Sequence, residues 1–207
     1  VKRLSIRDGT FYPYGDTIDV VIINAGPVSR EYFSHEFDAT QTKSATCWSV
    51  DTQRPAEAVP DEHKQAARCL DCKHNIRGSS GYGRACRFFQ RLAIAFKDEL
   101  DVIYQLQLPA TSIFGKARGS DMPLQEYVRH LSKHNTAATS VVTKIYFDKS
   151  HSLPKLFFRP VQGLDKKQLE TVSALVNHPD VYEAITSAER PSATASPFDS
   201  VEGYAFK

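Results

Sequence analysis

The stretch CRFFQRLAIAFKDELDVIYQLQL, residues 86–108, decides the fold class of this chain. Leu92, Ile94 and Phe96 share one face of an extended segment, and Val102, Tyr104, Leu106 and Leu108 alternate against Gln105 and Gln107 in the next. Successive side chains of a β-strand point to opposite faces, so this period-two pattern predicts two strands, with Lys97 to Asp101 as the turn between them. Upstream, Ile18 to Asn24 is a continuous apolar, β-branched run ended by Gly26-Pro27, and Arg3 to Arg7 and Phe11 to Tyr14 flank the hairpin pair Asp8-Gly9. Downstream, Leu124, Tyr127, Val128 and Leu131 recur at helical spacing over residues 123–134, with Asp121 as N-cap, Pro123 in the first turn and Asn135 at the close. Strands at 140–147 and 155–161 follow, then a helix capped by Asp165 with Leu169, Val172, Leu175 and Val176 on one side. Pro179 breaks that helix, and a short helical piece is expected near Val181 to Ile185.

Strand, strand, strand, helix, strand, strand is the element order of a five-stranded oligonucleotide-binding (OB) barrel. The expected architecture is therefore mainly β (α+β): an OB-like domain over residues 1–187 with C-terminal helices. Residues 34–87 are inserted between the first two barrel strands as a zinc-binding subdomain, and residues 188–207 form a flexible tail rich in Pro, Ser, Ala and Thr. A small β-sandwich with a covering helix produces the same string of elements. The 207 residues, 41% hydrophobic and 24% charged, suit one main domain with an insertion. No run of about 18 apolar residues is present, and the start Val1-Lys2-Arg3-Leu4-Ser5 lacks the apolar segment of a signal peptide, so a soluble protein of a reducing compartment is expected, with no membrane partner.

The insertion has little periodicity and much Pro, Gly, Ser, Thr and charge, so something other than an apolar core must order it. All four cysteines lie there, as Cys47-x21-Cys69-x2-Cys72-x13-Cys86. The close Cys69/Cys72 pair suits two thiolates on one tetrahedral ion, and Cys47 and Cys86 bring in the two ends of the segment, which predicts a structural zinc site of four cysteine ligands. The competing readings are disulfides, free thiols and a redox CxxC; the first needs an oxidising compartment and the last a βαβ context that is absent. His63 and His74 stand near enough in sequence to replace one cysteine.

The formal net charge is only +2, yet Lys64 to Lys97 holds eight cations against the single acid Asp71, a net +7 that leaves −5 for the remainder. Trp48, Lys73, Arg77, Tyr82, Arg84, Arg87, Phe89 and Arg91 interleave rings with cations, the combination that tracks phosphates and stacks unpaired bases. With Leu92, Ile94 and Phe96 facing inward, Arg87, Phe89 and Arg91 share the opposite face, so an aromatic ring is expected outside the core between two guanidiniums. Arg30, Tyr32 and Phe33 form a weaker second set. The plainer reading of all these residues is a solvated face with rings packed on the zinc subdomain. Gly78, Gly81 and Gly83 lack the spacing and ending of a P-loop. No H-E-x-x-H or G-x-S-x-G is present, and Asp51, Asp61 and Glu62 are unspecific candidates for magnesium, so no enzymatic activity is expected.

Specific strings carry a resemblance. Cys47-Trp48-Ser49 with Asp51, Cys69-x-x-Cys72 with Asn75, Gly78 and Ser79, and Gly81-x-Gly83-x-Ala85-Cys86 leading to Gln90-Arg91-Leu92-Ala93 resemble a family of short proteins of tailed bacteriophages. The match continues through Tyr104-Gln105-Leu106, Leu108-Pro109-Ala110-Thr111-Ser112-Ile113-Phe114-Gly115, Pro123-Leu124-Gln125-x-Tyr127, Val141-Val142-Thr143 and Pro154-Lys155-Leu156-x-Phe158, nearly the full length, from about residue 3 to about residue 165. The resemblance implies a phage single-stranded DNA-binding protein with an OB core, acting in replication or recombination in the host bacterial cytoplasm. Such proteins often recruit replication proteins through an acidic tail with a terminal aromatic; this chain departs from that pattern, since Glu189, Asp199 and Glu202 against Arg190 and Lys207 leave the tail barely negative, although Phe206 is penultimate. Two other function classes stay open: a zinc-stabilised protein-interaction module for host transcription or replication machinery, and a metal-dependent nuclease. A homo-oligomer is compatible with each.

Overall fold

The apolar runs become strands of one large sheet in the computed structural model, which describes residues 1–34 and 45–186. The expected tail from 188 to 207 lies outside the described residues. In chain order the elements are β1 (Lys2–Arg3), β2 (Ser5–Arg7), β3 (Thr10–Tyr12), β4 (Thr17–Ala25), β5 (Ser29–Tyr32), β6 (Cys47–Ser49), β7 (Cys86–Phe96) and β8 (Glu99–Pro109). Then come α1 (Ala110–Ile113), α2 (Leu124–Lys133), β9 (Val141–Phe147), β10 (Leu156–Gly163), α3 (Lys166–Leu175) and α4 (Pro179–Thr186). The main sheet runs β1-β8-β7-β4-β9-β10; β1 lies parallel to β8 and the other ladders are antiparallel. β2 and β3 form a separate hairpin, and its turn residues Asp8 and Gly9 both take positive φ, 48° and 70°, as a type I′ turn requires.

Strand β7 is the hub. Its second half, Leu92 to Phe96, pairs with β4, while its first half, Cys86 to Phe89, pairs with β5, which in turn carries β6. The barrel expected from the element order is not closed by a ladder: among the described residues none joins β8 to β10, and the molecule is a mixed α+β fold dominated by an open, mixed sheet. The two regions approach through a single bridge, Met122 to Phe158, and through the Leu156 N–H, which donates to Ser112 Oγ at 2.9 Å.

Alternation on the long strands feeds two apolar layers. Leu92, Ile94, Leu106 and Leu108 pack on one face with Ile113, Tyr127 and Phe158; Ala93, Ala95, Val21 and Ile23 pack on the other beneath Val172, Val181 and Ala184 of the last two helices. Helix α4 sits very close to the sheet. A Cβ on Gly26 would stand 2.7 Å from the Ile185 carbonyl oxygen, so only glycine admits this approach. The expected cap of α2 is corrected: Pro123 precedes the helix without a side-chain cap, and Asp121 instead accepts the Tyr146 hydroxyl at 2.5 Å. Asn135 does end that helix region in a left-handed conformation, and Asp165 caps α3 in a reciprocal box with Gln168.

Asp19 ties three strands together at one rim of the sheet. Lys144 of β9 lies 3.0 Å from its carboxylate and Lys97, in the β7–β8 turn, lies 3.2 Å away. Burial raises the Asp19 carboxyl, but the two ammonium partners outweigh it and hold it below the ordinary carboxylate range. D19N is expected to lower the unfolding free energy at pH 7 by about 1 kcal/mol. A lowered native pKa stabilises fully above the unfolded value of about 3.9 and is lost as pH falls through the native value. Denaturant curves of parent and variant should therefore converge in acid.

Candidate metal centre and nucleic-acid interface

The short strands β5 and β6 fix two of the cysteines. Tyr32 is in register with Cys47 of β6 on one side and with Cys86 of β7 on the other, so both thiols leave the sheet on the same face. The other two come from consecutive 3₁₀ turns, Cys69–Asp71 and Lys73–Asn75, with Cys69 and Cys72 both buried. The turns are held by Cys69 N–H to the Gln53 carbonyl at 2.8 Å and by Asn75 Nδ2 to the Cys69 carbonyl at 3.0 Å.

All four are free thiols, and all four line one cavity of about 20 Å³, together with Arg30, Tyr32, Trp48 and Gln65. That is room for about one water-sized guest. Neither His63 nor His74 lines it; His74 instead stacks on the Tyr32 ring, with centroids 3.8 Å apart. As arranged, no three His, Cys, Asp or Glu groups among the described residues stand close enough to hold a metal ion. Cys47 and Cys86 are two strand spacings apart, about 10 Å by ordinary sheet geometry.

Three observations bear on whether these residues suit a metal. The donor set is four soft sulfurs lining one small cavity. Burial pushes the Cys86 thiol up to about 12, the neighbouring cysteines adding to it and Arg30 opposing it. Cys47 is raised by burial against an opposing Gln65 N–H bond. Both are neutral thiols at pH 7, so a metal entering here displaces protons. Finally, Arg30 is only 7% exposed, and its Nε and Nη1 have no hydrogen-bond acceptor. A buried cation with unanswered N–H groups beside four sulfurs is what a set of metal-bound thiolates would satisfy.

The residues expected to contact nucleic acid divide sharply. Lys73, Arg77, Tyr82 and Arg84 are exposed, Tyr82 completely, at the tip of a turn closed by Gly78 N–H to the Gly83 carbonyl at 2.7 Å. Arg84 Nε donates to the Asn75 carbonyl at 2.7 Å, tying the tip to the cysteine turns. No ion pair engages Lys73, Arg77 or Arg84 among the described residues. The expected exposed ring between two guanidiniums is corrected: Arg87, Phe89 and Arg91 do share the face opposite the core residues, but Phe89 is only 4% exposed. Arg91 lies over its ring at 4.5 Å and is itself half-buried, with Glu31 as its acidic neighbour. Trp48 is half-buried, in register with Glu31, and Arg30 and Tyr32 belong to the cysteine cavity.

In the glycine loop the Gly78, Ser80 and Gly81 N–H groups are bonded within the loop and the Ser79 N–H donates to the Ile76 carbonyl. Asp51 is taken up by the N–H groups of Gln53 and Arg54 and by Ser49 Oγ, and Asp61 pairs with Lys64. Sequence reasoning missed a second cation and ring group on β9 and β10, with Arg118 and Lys155 each 5.1 Å from Phe157 and Arg159 5.0 Å from Tyr146. Alternation within 155–161 carried its signal, but Asp148 pairs with both Arg118 and Lys155 and blunts the charge.

No family model, curated protein or solved structure matches this chain. No helix among the described residues is long and apolar enough to cross a membrane. The two aromatic positions should separate in thermal unfolding. F89A is expected to cost about 3 kcal/mol as a truncated buried ring, whereas Y82A should stay within about 0.5 kcal/mol of the parent.

Proposed function

We propose that this chain is a sequence-tolerant single-stranded DNA-binding protein of phage replication or recombination. In this reading its sheet is an OB-like core and one zinc ion on Cys47, Cys69, Cys72 and Cys86 stabilises the insertion. The observation that carries the proposal is the fully exposed Tyr82 ring on a turn with Arg77, Arg84 and Lys73, three cations without an acidic partner among the described residues. Such a ring can stack on an unpaired base while the cations follow the phosphates, a recognition mode indifferent to sequence. The path β8-β7-β4-β9-β10, with α2 between its third and fourth strands in chain order, supports the OB-like reading, since that fold is itself a partly open Greek-key barrel. The resemblance to tailed-phage proteins supports the replication context.

Zinc would be held by the four sulfurs drawing in around their cavity, and it would fix the turns that present Tyr82 and the cations. Leu70 and Ile76, 73% and 63% exposed on the same turns, favour a second reading, a protein-interaction module for host transcription or replication machinery. Titrating an oligo-dT strand at several salt concentrations separates the two. The DNA reading expects binding that weakens steeply with salt, with R77A and R84A each flattening the log–log slope by about 0.7 and Y82A weakening binding by about 1 to 3 kcal/mol. No binding at low salt favours the interaction module, and cleavage of the strand with magnesium points to a nuclease.

A further inference from the structure

Arg30 sits where a surface cation does not belong. It lies on β5 two residues before Tyr32, hence on the same strand face, in register with Ser49 of β6 and Phe88 of β7. Its guanidinium carbon stands 4.0 Å from the Phe88 ring centroid, so the planar group has a ring to rest on. The side chain lines the cysteine cavity, belongs to a residue only 7% exposed, and leaves Nε and Nη1 without acceptors. No carboxylate pairs with it among the described residues. A permanently charged group is not buried without a counter-charge, because its desolvation is unfavourable unless an anion or strong acceptors replace the water.

We propose that Arg30 is the counter-charge of the cysteine centre, donating its unanswered N–H groups to metal-bound thiolate sulfur and thereby raising the affinity of the site for zinc. This rests on the reading that the four cysteines hold one zinc ion. Four thiolates and a divalent ion carry a net charge of −2, and nothing else lining the cavity among the described residues is cationic. Arg30 is therefore the cation in the lining that can offset it and orient sulfur lone pairs, the role that outer-shell donors play around metal ligands, while Lys64 acts on Cys47 from outside the lining. It is a positioning residue of the centre and not a contact to nucleic acid.

The test compares the full-length parent, R30M and R30K in zinc competition against a chromophoric chelator, with cobalt(II) spectra of the substituted proteins and oligo-dT titrations across salt. R30M is expected to lose tenfold or more in zinc affinity and to shift the sulfur-to-cobalt charge-transfer band, with R30K recovering part of the loss. With zinc held in excess so that both variants stay loaded, the salt slope of oligonucleotide binding should be unchanged in both. Parent and R30M holding zinc equally would overturn the assignment while leaving the zinc reading intact. A slope flatter by about 0.7 with zinc affinity unchanged would do the same and return Arg30 to the DNA contacts. A parent that binds no zinc overturns the zinc reading and this inference with it. Should R30M fail to fold, R30K decides alone: parent-like affinity and spectrum count against the proposal, weakened affinity with a shifted band for it.

Discussion

Tyr32 has a cysteine beside it on each neighbouring strand, and the rest of the insertion depends on that register. Between Val50 and Ala85 the buried apolar side chains are only Ala56, Val59, Cys69 and Cys72, too few to form a core. Order there comes from backbone hydrogen bonds, from the Asp51 turn, and from the two 3₁₀ turns that bring Cys69 and Cys72 over the β5–β7 edge. Closing a segment of this length at its base costs loop entropy, and a metal bound across the four sulfurs would supply the free energy that the missing core does not.

The same register sorts the cations. Residues that alternate onto the sheet faces are drawn inward: Arg30 into the cysteine cavity, Arg91 onto the Phe89 ring beside Glu31. Residues carried on the turns beyond the cysteines keep their charge in solvent, so Lys73, Arg77 and Arg84 stay exposed, with Tyr82 among them. The basic stretch of the sequence is therefore two populations, one structural and one presented.

Much of the scaffold could be read from local chemistry. Alternation in 92–108, the Asp8-Gly9 turn and the Asp165 cap each specify a local geometry, and each recurs in the structure. Strands β5 and β6 were missed because four and three residues carry no period of their own; they exist by pairing with the first half of β7. Alternation also placed Phe89 on the correct face and misjudged its exposure, since a strand pattern states direction and not what covers that direction. Element order likewise could not say whether β8 and β10 pair, which is a matter of curvature and register. For the cysteines, spacing suggested a shared centre; the structure adds the cavity and a buried guanidinium that spacing could not contain.

The most direct measurement is X-ray absorption at the zinc edge, with metal quantitation, on the full chain expressed with zinc and purified without chelators. The account predicts one zinc per chain in a shell of four sulfurs at about 2.3 Å. Absence of zinc, or a shell that includes nitrogen or oxygen in place of cysteine sulfur, would contradict it.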